Sequence, residues 1–127
     1  MPDKVYRTAI YCRLSREDGD KVESNSIASQ RAICEDYIAR HDDLELVCEP
    51  FVDDGYSGVS FNRPQFKKLE EAIRKGALDC IVVKDLSRFS RNYIDGGRYI
   101  EKIFPQLGMR FIAINDAYDS LTGDPQS

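Results

Sequence analysis

Histidine is almost missing from this chain: His41 is the only one. The four cysteines, Cys12, Cys34, Cys48 and Cys80, include no C-x-x-C pair. A zinc centre needs several such ligands at close spacing, so zinc is not expected. No apolar run reaches membrane-spanning length, and Met1-Pro2-Asp3-Lys4 carries no signal-peptide apolar region. A basic excess is missing as well. The formal net charge is −4, whereas a general nucleic-acid binder is usually basic. Contact with a polyanion must then rest on a local arginine cluster or on a segment outside this chain. Internal repeats, low-complexity tracts and a dividing linker are also lacking. These absences leave the expectation of a soluble, cytoplasmic domain with no membrane partner and no zinc; a small-molecule cofactor is not expected either.

What is present suits one globular unit. The 127 residues are 42% hydrophobic and 31% charged, and a chain of this size buries enough surface to need no disulfide staples. Cys12, Cys34 and Cys80 lie in apolar patterns and read as small core residues; Cys48, in a strand-like run, reads the same way. Thr8-Ala9-Ile10-Tyr11-Cys12, after Val5-Tyr6, predicts a central strand apolar on both faces. Ser24-Asn25-Ser26 offers helix caps. Ile27, Ile33, Cys34, Tyr37 and Ile38 then keep a helical stripe to about Arg40. Leu44 to Phe51 predicts a second strand, and Asp53-Asp54-Gly55-Tyr56-Ser57-Gly58 a loop. Pro64 opens a second helix that carries Phe66, Leu69, Ala72 and Ile73 and ends at Gly76. Cys80-Ile81-Val82-Val83 is a third strand. A helix from about Asn92 to Leu107 follows, weakened by Gly96-Gly97 and kinked or shortened by Pro105. Arg110 to Ile114 is the fourth strand. Strand–helix alternation predicts an α/β, Rossmann-like, three-layer domain: a mostly parallel sheet of four to five strands flanked by helices.

In a parallel sheet the strand ends share one rim, where such folds hold ligands. Arg13 and Ser15 follow the first strand, and residues i and i+2 of an extended chain share a face. Asp53, Ser57 and Arg63 follow the second; Ser87, Arg88 and Arg91 follow the third. Four arginines and one serine from distant segments can thus meet. A hydroxyl beside guanidiniums suits attack on a phosphate: the oxygen is the nucleophile, and planar fixed charges match the non-bridging oxygens of the transition state. Each arginine also has a duller reading as a solvated surface group, and Arg88 and Arg91 would share a face if a helix formed there.

The motifs Tyr11-x-Arg13-x-Ser15, Ser26-Ile27-x-x-Gln30, Asp53-x-Gly55-x-Ser57-Gly58, Arg63-Pro64-x-Phe66, Gly76-x-x-Asp79, Ile81-Val82-Val83 and Leu86-Ser87-Arg88-Phe89-Ser90-Arg91-Asn92 span about residues 5 to 120. In this order and spacing they resemble the catalytic domain of serine recombinases, the resolvase/invertase superfamily, and most of all its large members, the transposon recombinases and phage-type integrases. The resemblance implies site-specific DNA recombination through a covalent 5′-phosphoserine intermediate, without metal or ATP. It implies Ser15 as nucleophile and Arg13, Arg88, Arg91 and Arg63 as active-site arginines, with Tyr11, Gln30, Asp53 and Ser87 in support. It further implies DNA and other copies of the chain (a dimer or tetramer of full-length protein) as partners, and a nucleoid location in a bacterium. Many small members carry aspartate directly before the first arginine of the last motif; Ser87 stands there in this chain, with Asp85 two residues earlier. The leaving-group acid and the base for Ser15 are therefore not identified by the motifs.

The resemblance also implies a catalytic domain over residues 3–120, with 121–127 the loose end of a fragment that by itself binds DNA weakly and carries out little or no recombination. Two other readings remain at this point. One is a non-catalytic assembly or DNA-docking module of the same fold, motivated by Ser87. The other is a metal-dependent or receiver-like domain using Asp53, Asp54 or Asp85; it lacks the acidic pair that receivers place after the first strand.

Overall fold

A run with no charged side chain from Thr8 to Cys12 is stable only where both faces and both edges are covered. Tyr6–Leu14 accordingly forms the central strand, β1. The computed structural model describes residues 3–15 and 26–122. The elements that follow β1 are α1 (Ile27–Ala39), β2 (Leu44–Leu46), β3 (Phe51–Asp54), α2 (Pro64–Arg74), β4 (Cys80–Val83), α3 (Leu86–Phe89), α4 (Tyr93–Arg98), a π-helical turn (Tyr99–Ile103), α5 (Phe104–Gln106), β5 (Arg110–Ala113) and β6 (Tyr118–Asp119). β2 pairs with the start of β1 (Tyr6 opposite Leu44) and β3 with its end (Arg13 opposite Asp53), both parallel. β4 lies beside β1, β5 beside β4, and β6 closes the edge antiparallel to β5.

The faces of the sheet follow the period of two. Ala9, Tyr11, Ile81, Val83, Phe111 and Ala113 face one core, with Phe66, Leu69, Phe89 and Phe104 from the helices. Ile10, Cys12, Val82 and Ile112 face the other, covered by Cys34 and Ile38 of α1. This is the mostly parallel, helix-flanked sheet that the alternation predicts, with six strands instead of four or five.

Three local expectations change. The run Leu44 to Phe51 is two strands, because Val47, Cys48 and Glu49 turn outward ahead of Pro50, which has no N–H for a ladder. Cys48 is therefore exposed and not a core residue. Cys12 and Cys80 are buried, and desolvation pushes their thiols up to about 12. Finally, the helix expected across Asn92 to Leu107 changes its winding ahead of Pro105: Tyr93–Arg98 is α-helical, Tyr99–Ile103 π-helical and Phe104–Gln106 α-helical. Asn92 caps it through Ile94 and Asp95. Before the proline the turn widens, and the Phe104 amide bonds the Tyr99 carbonyl five residues back. Pro105 has no amide for a regular turn, and the wider turn takes up the mismatch.

The rim opposite the strand C-termini is held by ion pairs. Arg7 donates to both carboxylate oxygens of Asp79 (2.9 and 3.1 Å), tying the start of β1 to the start of β4. Arg110 bonds Asp43 (2.7 Å) and Asp119 (2.6 Å) beneath the Tyr6 ring. His41 also lies away from the arginine motifs, stacked on Tyr37 at the end of α1. Among the described residues no helix is long and apolar enough to cross a membrane.

Candidate active site

Ser15 is the first residue past β1, two positions beyond Arg13, and is only 4% exposed. The backbone of Arg13 is clamped by Gln30 from α1. The Arg13 amide donates to the Gln30 side-chain oxygen (3.2 Å), and the Gln30 amide donates back to the Arg13 carbonyl (3.0 Å). Gln30 is fully buried in an otherwise apolar helix face, which sets the end of β1 and so the place of Ser15. Ser26 starts that helix by accepting from the Ser29 amide (3.1 Å); Ser24 and Asn25 lie outside the described residues.

Arg13 and Arg88 hold each other. The Arg13 guanidinium donates to the carbonyls of Ser87 (2.5 Å), Arg88 (3.1 Å) and Tyr56 (2.9 Å). Arg88 donates through Nη1 to the Arg13 carbonyl (3.0 Å). Both are buried. Two like charges tolerate this packing because each is aimed at carbonyl dipoles drawn from the other's loop.

Gly58 lies between Arg13 and Arg91. A Cβ there would stand 2.8 Å from Arg13 Nη2 and 2.9 Å from Arg91 Cγ. The Arg91 amide also donates to the Gly58 carbonyl (2.7 Å). Gly58 belongs to a motif already noted, yet spacing alone gave no reason for glycine; the close approach of two arginines does. Arg88 and Arg91 do not share a helix face. α3 ends at Phe89 and Ser90 is extended, so Arg88 is buried while Arg91 is exposed.

Arg63 sits one layer deeper, fully buried, with its guanidinium 4.6 Å from the Phe61 ring centroid. It donates to the carbonyls of Ser60 (2.8 Å), Phe89 (2.7 Å) and Gly58 (3.3 Å) and to the Tyr11 hydroxyl (3.3 Å). In this arrangement it struts the loops that carry Gly58 and Arg91. Tyr11 in turn donates to Asp53 (2.8 Å), whose carboxylate accepts the Gln65 and Phe66 amides (3.0 and 2.9 Å) at the start of α2. Burial pushes the Tyr11 phenol well above its ordinary value of 10.0; Arg63 pulls it down and Asp53 raises it.

Ser87 and Arg91 line an open cleft of about 300 Å³ together with Leu86, Ser90, Tyr93 and Asp116. Tyr93, at the mouth, is 97% exposed. Asp85, outside the predicted set, caps α3 and accepts the Ser87 hydroxyl proton. The arrangement brings Arg13, Arg88, Arg91, Ser87 and Gln30 to the rim that carries Ser15, with Arg63, Tyr11 and Asp53 in a supporting layer. Among the described residues no group of three or more His, Cys, Asp or Glu is placed to hold a metal.

Comparison with known proteins adds an independent line. The family described as resolvase, N terminal domain, matches residues 8–126. A curated relative, a putative DNA recombinase of Bacillus subtilis (strain 168), is 31% identical over 87 residues, 68% of this chain. The aligned part is 16% of that relative's length. Among solved structures, the N-terminal catalytic domain of TP901-1 integrase is similar with a TM-score of 0.78 and 27% identity, covering 91% of this chain and 82% of that one. A resolvase family site-specific recombinase from Streptococcus pneumoniae has a TM-score of 0.74 and 27% identity, covering 97% and 80%. The C-terminal catalytic domain of an IS607-like serine recombinase shares the fold at 22% identity, with a TM-score of 0.68 over 84% of this chain and 66% of that one.

Proposed function

The chain belongs to the resolvase N-terminal domain family, the catalytic domain of site-specific recombinases, and on that premise we propose that Ser15 is the nucleophile of DNA strand cleavage. Its Oγ attacks a backbone phosphorus, the Oγ–P bond forms, and the bond from phosphorus to the 3′ oxygen breaks. The Ser15 proton leaves to a base, and the departing 3′ oxygen gains a proton. The product is a 5′-phosphoserine and a free 3′ hydroxyl. Because the phosphodiester is exchanged for another phosphodiester, the reverse step rejoins DNA with no external energy source. Residues 3–120 form the catalytic unit, DNA is the substrate, and further copies of the full-length protein complete the assembly.

The observation that carries this reading is the mutual clamp of Arg13 and Arg88 beside Ser15, with Arg91 packed on Gly58. Arg88 and Arg91 are assigned to the non-bridging phosphate oxygens, where planar fixed charge lowers the barrier. Arg13 and Arg63 hold the loops that aim them. Tyr11, Gln30 and Asp53 anchor the supporting layer. An acidic domain is consistent with this task when most DNA affinity comes from other segments.

The test is the covalent adduct made by the full-length recombinase on its own site, trapped on a nicked substrate. Ser15→Ala is expected to abolish the adduct, whereas Ser87→Ala slows its formation without abolishing it. An adduct that survives Ser15→Ala overturns the assignment.

A further inference from the structure

Ser87 stands beside the cleft with a hydroxyl whose three bonding positions are all used. Its proton goes to Asp85 Oδ1. Its oxygen accepts from Arg88 Nε (3.2 Å) and Arg88 Nη2 (3.1 Å). A serine hydroxyl has one proton and two lone pairs. Once a carboxylate takes the proton, both lone pairs must face the other way, and here they face the guanidinium. The same Asp85 oxygen accepts the Arg88 amide (3.2 Å) and lies 3.7 Å from Arg88 Nε. Arg88 Nη1 is fixed on the Arg13 carbonyl. The guanidinium is thus gripped along one edge by Ser87 and at its far nitrogen by the end of β1.

Resting on the recombination reading, we propose that Asp85 is a positioning residue for strand cleavage, acting through Ser87 to set the plane and reach of the Arg88 guanidinium beside the cleft. A carboxylate bonded directly to Arg88 would set its full charge against the Nε and Nη2 edge that the neutral Ser87 hydroxyl now occupies. An interposed hydroxyl transmits the orientation and keeps the full negative charge one atom further away. Asp85 is therefore more than a cap for a one-turn helix: its carboxylate decides which way Ser87 points, and Ser87 decides which way Arg88 points.

The experiment is single-turnover cleavage by the full-length recombinase, with affinity for the site measured separately. The enzymes are wild type, Asp85→Ala, Ser87→Ala, the double variant and Asp85→Asn. Asp85→Ala and Ser87→Ala are each expected to slow cleavage about 10- to 100-fold, the scale of a displaced catalytic group. Site affinity stays within about twofold of wild type. The double variant is no slower than the slower single, because both changes cut one chain of contacts. Asp85→Asn keeps an oxygen on Ser87 and on the Arg88 amide, and it recovers most of the rate. Losses that multiply in the double variant overturn the proposal, as does a loss that lies wholly in affinity. Ser87→Ala removes no cap, so its folding is not at risk, and a wild-type rate for it also overturns the proposal. A wild-type enzyme that makes no Ser15-linked adduct strikes instead at the recombination reading, and this inference falls with it.

Discussion

Gly58 shows how much one missing methyl group can carry. Its Cα is pressed between Arg13 and Arg91, and Arg13 cannot retreat without releasing the carbonyls of Tyr56, Ser87 and Arg88. Gly58→Ala should slow DNA cleavage about 100-fold through displaced arginines, read as single-turnover rate against site affinity. Gly55→Ala is the informative partner. Gly55 has a φ of +94° with open space where a Cβ would go, so its replacement strains the backbone without touching an arginine. It should cost about 1 kcal/mol in denaturant melts. Equal effects of the two changes on cleavage would mean that crowding at Gly58 is not what matters. The turn residues were legible in the sequence as a turn; the contact that makes one of them irreplaceable was not, because it joins segments more than thirty positions apart.

The start of α2 teaches the same lesson for a helix. Arg63 occupies the capping position without a side-chain cap, and Pro64 has no amide to satisfy. The next two amides, of Gln65 and Phe66, are bonded by Asp53 from the end of β3. A carboxylate at a helix N-terminus is favoured by both the free N–H groups and the helix dipole. This one also accepts the buried Tyr11 hydroxyl, so it joins β1, β3 and α2. Asp53→Ala should cost about 2–4 kcal/mol, the sum of a lost cap and a stranded buried hydroxyl, as a shift in urea midpoint. A change within experimental error would show that water replaces the carboxylate freely. Proline at the helix start and the buried stripe of Phe66, Leu69 and Ile73 were readable from spacing; the cap was not, since it comes from another strand.

The sheet is pinned at both rims by different chemistry. On the rim that carries Ser15, buried guanidiniums meet backbone carbonyls. On the opposite rim, arginines meet carboxylates, and pH acts there. The Arg7 side-chain bond is the main influence that lowers the Asp79 pKa, with burial opposing it. A carboxylate whose folded pKa is depressed adds stability that is present above its unfolded value and lost as pH falls through the folded one. Asp79→Asn should therefore melt below wild type at neutral pH. The gap should close as pH drops below the ordinary Asp value of 3.8, as followed by circular dichroism. A gap that stays constant through the acid range would assign the loss to packing instead of charge.

Local pattern determined the parallel α/β architecture. Strands buried on both faces, helices with one apolar stripe, and caps such as Ser26 and Asn92 act over a few residues, and their periods survive in a linear chain. The order of the motifs also determined the family. Tertiary structure alone decided that Cys48 points outward, that the turn before Pro105 widens rather than breaks, and that Arg88 is buried while Arg91 is exposed. It alone joined Asp85, Ser87 and Arg88 to Arg13. Those outcomes depend on which loop carbonyls and carboxylates come within hydrogen-bond reach once the strands align, and a distance through space leaves no period in the sequence.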